Sequence, residues 1–152
     1  MNPLTLHELI PVLQTAVGPV ILISGVGLLL LSMTNRFGRV VDRSRLLARE
    51  LPSAAAGQRE FLTAQLAILY RRARIIRLAV ILAIASVLLA GLLIIALFLA
   101  ALLHLEAALV VTLCFILCLA SLVGSVIGFL LDLQVSLRAL RVELAQAGFH
   151  PE

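Results

Sequence analysis

Three apolar runs divide the chain. Residues 11–33, 78–103 and 107–131 carry no charge, and each is long enough to cross a bilayer, which takes about 20 residues. Between the first two runs the pattern becomes amphipathic. On a helix, Phe37, Val40, Val41, Ser44, Leu47, Ala48 and Leu51 share one arc. Asn35, Arg36, Arg39, Asp42, Arg43, Arg45 and Arg49 share the other, and only Leu46 is out of place. This predicts that the first spanning helix continues out of the membrane over residues 34–51. Pro52 and Gly57 then bracket a turn. In the returning segment, 58–77, Leu62, Leu66, Leu69, Ala73 and Ile76 form one stripe, while Phe61, Ile68 and Ile75 form a second, offset one. Two stripes predict two neighbours. After the third run, Leu130, Leu133, Leu137, Leu140 and Leu144 form a coiled-coil-like seam along a helix over 132–147, closed by Gly148. At the start, Thr5 and Glu8 have capping-box spacing in a short tail, and His104 to Glu106 make a tight hairpin.

The predicted fold is therefore all-α. It is a single membrane domain over 1–152 with three transmembrane helices, two or three of them extended into a cytoplasmic helical stalk. Composition agrees. The chain of 152 residues is 62% hydrophobic and 13% charged, and its mean hydropathy is +1.17, too apolar for a soluble domain to cover its surface. All 12 basic residues are Arg, ten of them between Arg36 and Arg77, with Arg138 and Arg141 near the end. The face holding 34–77 and 132–152 has net charge +6; Glu8 and Glu106 leave the opposite face at −2. This asymmetry is a topology signal rather than a nucleic-acid one. It predicts a cytoplasmic Arg-rich face, an outer N-terminus and a cytoplasmic C-terminus. The N-terminus lacks the basic region and cleavage site of a secretory signal.

Small residues mark close-packing faces. Gly18, Gly25 and Ser32 repeat every seven residues in the first span, where Gly18-Pro19 also predicts a kink. Ser121, Gly124, Ser125 and Gly128 interleave two small-xxx-small patterns in the third. Cys114 and Cys118, four apart on one helix, read as packing residues rather than a disulfide.

Four clusters are candidates for chemistry. Asn35, Arg36, Arg39, Asp42, Arg43 and Arg45 suit a vestibule, an anion site or lipid phosphates, against the plainer reading of a solvated helix face; Asp42 has Arg39 and Arg45 within reach at three residues. Arg71, Arg72, Arg74 and Arg77 sit where the second span begins and read as lipid headgroup anchors. Asp132, an acid at the membrane edge, calls for an Arg partner, with Arg36 and Arg77 at similar depth. His7, Glu8, His104 and Glu106 lack metal-ligand spacing. No nucleophile, acid–base pair or phosphate loop emerges, so no enzyme, metal or cofactor is expected.

Two stretches also carry a resemblance: residues 18–27, GPVILISGVG, followed by residues 34–45, TNRFGRVVDRSR, and residues 71–80, RRARIIRLAV. Together they resemble the bacterial membrane-protein family filed as domain of unknown function 2721, over most of the chain. Leu31-Ser32 and the exit at residues 131–134 depart from its pattern. The resemblance implies this architecture in a bacterial inner membrane, and no activity.

The unpartnered stripes and the small-residue faces point to a homo-oligomer, with cyclic symmetry as the default. The first functional reading is a homo-oligomeric assembly with a central ion or small-solute pore, its cytoplasmic mouth lined by the Arg/Asp motif. The alternative is a structural or regulatory scaffold whose Arg-rich stalk binds a cytoplasmic protein partner or anionic membrane lipid.

Overall fold

A computed structural model describes the backbone of residues 6–103, 106 and 108–146, and the side chains of these except 6–9, 56 and 137–146. It consists of three long helices, α1 (Leu6–Glu50), α2 (Ala56–Leu103) and α3 (Ala108–Gln146). All three contain a stretch long and apolar enough to cross a membrane, and the described residues include no strand. The protein is an all-helical membrane protein. The Thr5–Glu8 capping box, the His7/Glu8/His104 grouping and Gly148 lie outside the described residues, as do the side chains of Leu137, Leu140 and Leu144 in the C-terminal seam.

α1 runs unbroken through Pro11 and Pro19. Each proline removes an N–H from the ladder. Nearby, the Thr15 hydroxyl donates to the Pro11 carbonyl at 2.9 Å and Ser24 donates to Val20 at 3.4 Å, so these two hydroxyls are satisfied within the helix. α1 stops where Pro52 enters a single 3-10 turn, Leu51–Ser53, and Ala54 is extended. Arg59 closes the turn by donating to the Pro52 carbonyl at 2.9 Å, and its own N–H donates to Ala55.

Contacts divide the chain into two compact units, and every helix contributes to both. The first unit takes residues 1–31 and 81–124. Ala83, Ser86, Ala90 and Leu93 recur at helical spacing along one face of α2 and are buried, with Cys118 of α3 and Ala16 and Val26 of α1. These side chains are small, so the helices pack closely. The Cys118 thiol donates to the Ser86 carbonyl at 3.2 Å, the Cys114 thiol to Leu89 at 3.5 Å, and a Cβ on Gly124 would meet Leu82 at 3.2 Å. A cavity of about 400 Å³ lies beside Gly18 and Pro19, walled by Leu93, Leu97, Val111 and Phe115.

The second unit takes residues 32–80 and 125–152. Met33, Val40 and Leu47 of α1 repeat every seven residues and are buried, together with Leu62, Ile76 and Ala79 of α2. The stripe from Leu62 to Ile76 faces inward; Phe61 and Ile68 of the second stripe stand exposed. On α3, Gly128 is needed for proximity, because a Cβ there would lie 3.0 Å from the Ala79 Cβ. One turn earlier, the buried Ser125 hydroxyl donates to the Ala79 carbonyl at 2.8 Å. Gly18 and Gly25 differ: nothing lies within 4 Å of an added Cβ, and they are exposed along with Ser32. The same small-residue signal thus has a neighbour on α3 and none on α1.

Candidate functional site

The site belongs to the second unit and is built from one turn of each helix at the ends of the apolar runs. Asp132 follows the last apolar residues of α3 and sits on the same face as Gly128 and Ser125, which holds it against α2. Its side chain is 0% exposed. A buried carboxylate is costly unless paired, and here two guanidinium groups reach it. Arg72 Nε donates to Oδ1 at 3.2 Å, and Arg36 Nη2 lies 3.0 Å from Oδ2. The Arg36 contact is an ion pair without hydrogen-bond alignment, so Oδ2 is buried without a hydrogen-bond donor.

Ser136 completes the arrangement one turn along α3. Its hydroxyl donates to the Asp132 carbonyl at 2.8 Å and accepts from both Arg72 Nη2 and Arg36 Nη2, the latter at 3.3 Å. The Arg36 guanidinium also lies 5.4 Å from the centre of the Phe129 ring, within cation–π range. Two arginines from two helices are therefore held in place by one short segment of the third.

Above them opens a cleft of about 320 Å³ lined by Arg36, Arg39, Arg43 and Arg72 with Val40, Leu69 and Ser136. Arg36, Arg39 and Arg43 share a face because their spacing of three and four residues matches the helical repeat. Arg39 and Arg43 are exposed and make no ion pair among the described residues. Among the described residues Asp132 is the one acid paired with any of these four guanidinium groups, and such a cleft attracts anions.

The other expected site residues fall around this centre. Asn35, Asp42 and Arg45 are exposed and do not line the cleft; Asp42 forms none of the ion pairs its spacing allowed. Arg71, Arg74 and Arg77 are exposed, as headgroup anchors would be. Arg72 departs from that grouping to meet Asp132, and Arg36 leaves the polar arc for the same acid, the partner its depth had suggested. Both turn inward, because a buried carboxylate outweighs the hydration of a guanidinium whose long stem can reach it. The partners of Asp132 are thus Arg36 and Arg72, not Arg77. Ser136 and Phe129 were not singled out from the sequence. The spacing of four between Asp132 and Ser136 was a usable signal for the serine; nothing in the pattern marked Phe129. Glu106 is exposed, and the described residues contain no cluster able to hold a metal.

The family model described as "Protein of unknown function (DUF2721)" matches residues 16–142, most of the chain. The chain belongs to that family. The matched span includes Arg36, Arg72, Asp132 and Ser136, so the whole clasp lies inside the family region. Comparisons with curated proteins and with solved structures gave no match.

Proposed function

We propose that this is a non-enzymatic structural or regulatory protein of the bacterial inner membrane, which holds an anionic group in its arginine cleft. The N-terminus is outside and the Arg-bearing end is cytoplasmic, as the charge asymmetry favours. The observation that carries the reading is the division of labour among four arginines. Arg36 and Arg72 are pinned by Asp132 and Ser136, while Arg39 and Arg43 stand beside them with no ion pair among the described residues. Pinned guanidinium groups lose little freedom on binding, and free ones supply attraction. Located where the apolar runs end, the cleft suits anions presented by the cytoplasmic leaflet or by a bound partner. Native mass spectrometry from nanodiscs of mixed anionic and zwitterionic lipid tests this. Wild type is expected to retain anionic lipid and an Arg39→Ala/Arg43→Ala variant to lose it; equal retention of both lipids by wild type would sink the reading.

A homo-oligomeric pore is the second reading, favoured by the exposed Gly25 of α1, where a second copy's helix can approach closely. The described apolar runs contain no charged residue, so such a pore would be a hydrophobic constriction or be lined by Ser, Thr and Gly. A ring of four or more copies with unitary conductance in bilayer recording would favour it; a monomer or dimer would exclude it.

A further inference from the structure

Resting on that reading of the cleft, we propose that its ligand is a terminal phosphate, a phosphomonoester or free phosphate, in preference to a phosphodiester. Charge is the first argument. Among the described residues, the four guanidinium groups lining the cleft make ion pairs with one acid, the buried Asp132, so positive charges are in excess there. A diester removes one of these; a monoester carries about −1.5 to −2 at pH 7 and removes more. Donor supply is the second. Arg36 commits only Nη2, Arg72 commits Nε and Nη2, and Arg39 and Arg43 commit nothing among the described residues. With five N–H donors on each guanidinium, most remain for the ligand. A diester presents two non-bridging oxygens to them, a monoester three. Geometry is the third. Arg36, Arg39 and Arg43 reach the cleft from one helix and Arg72 from another, so its donors come from two walls. Asp132 lies fully buried behind Arg36 and Arg72, where it orients them while Ser136 holds their inner edges.

The full-length protein in phosphatidylcholine nanodiscs, doped with equal fractions of phosphatidic acid and phosphatidylglycerol, tests this by native mass spectrometry. Phosphatidic acid is expected to be retained about tenfold over phosphatidylglycerol, the equivalent of one added charge-assisted hydrogen bond. The exposed pair Arg39→Gln/Arg43→Gln, whose folding is checked by thermal unfolding, is expected to bring the ratio toward parity. Lowering the pH from 8 to 5 should shrink it too, because the second phosphate pKa is about 6. Millimolar inorganic phosphate separates the sources. Displacement of phosphatidic acid assigns the site to free phosphate as well; resistance assigns it to the lipid-borne group. Equal retention of the two anionic lipids, both above phosphatidylcholine, overturns the monoester proposal and leaves the anion site standing. Retention of neither overturns the anion site itself.

Discussion

The two units of the molecule draw on the same three helices and are held together in opposite ways. In the first, Ala83, Ser86, Ala90 and Cys118 pack closely, and the Cys118 thiol reaches across to the Ser86 carbonyl and hydroxyl. No single contact there dominates. In the second, Met33 and Ile76 bury bulk, but one carboxylate organises two arginines and a serine from three helices. Inside a membrane the hydrophobic effect does not drive helices together, so close packing and polar contacts must. The first unit spreads that work over many weak contacts. The second concentrates it in one cluster, which makes that cluster both the strongest tie and the most exposed to damage.

The largest effect should come from Asp132→Ala. It strands two partly buried guanidinium groups and is expected to cost about 3–5 kcal/mol, read as a lower unfolding temperature in detergent. Replacing all three charged residues with apolar ones of similar volume, Asp132→Leu with Arg36→Met and Arg72→Met, should restore most of that loss. If it does not, the clasp contributes more than paired charge. Next is Gly128→Leu, which drives a side chain into Ala79 and should cost about 1–3 kcal/mol by the same measurement. Gly25→Leu is its counterpart: with nothing within 4 Å, it should leave the fold of the single chain unchanged and lower the subunit count in native mass spectrometry. Ser125→Ala removes one buried hydrogen bond to Ala79 and should cost about 0.6 kcal/mol, near the average for polar contacts between membrane helices. The smallest effect belongs to Arg43→Ala. This side chain is exposed and unpaired, so stability should stay within about 0.5 kcal/mol while retention of anionic lipid falls. A large loss of stability there would erase the distinction between pinned and free arginines.

Much of this architecture was legible in the pattern of the chain. The apolar runs mark the membrane-crossing stretches because length and hydropathy alone decide them. The stripe from Leu62 to Ile76 marks the inward face of α2, because periodicity follows helix geometry. The site was legible only in part. A helical wheel places Arg36 on a polar arc, yet a guanidinium on a four-bond stem is not confined to the arc of its Cα. Arg72 lies among three exposed arginines and has the same composition cues; only the position of Asp132 on another helix separates it from them. Small-residue patterns show a similar limit. Gly18/Gly25 and Gly124/Gly128 both announce that a helix can come close, but the pattern does not say which one will.

Asp132 also bears on how the chain matures. Ribosomes deliver α1 and α2 first, so Arg36 and Arg72 exist for a time without their acid, and α3 arrives last carrying it. Until the third helix docks, a bare carboxylate and two unclaimed guanidinium groups sit at the bilayer edge, which is an unfavourable state. Docking buries the carboxylate and pairs it with both guanidinium groups in one step. The clasp thus forms only once a turn from each of the three helices is in place.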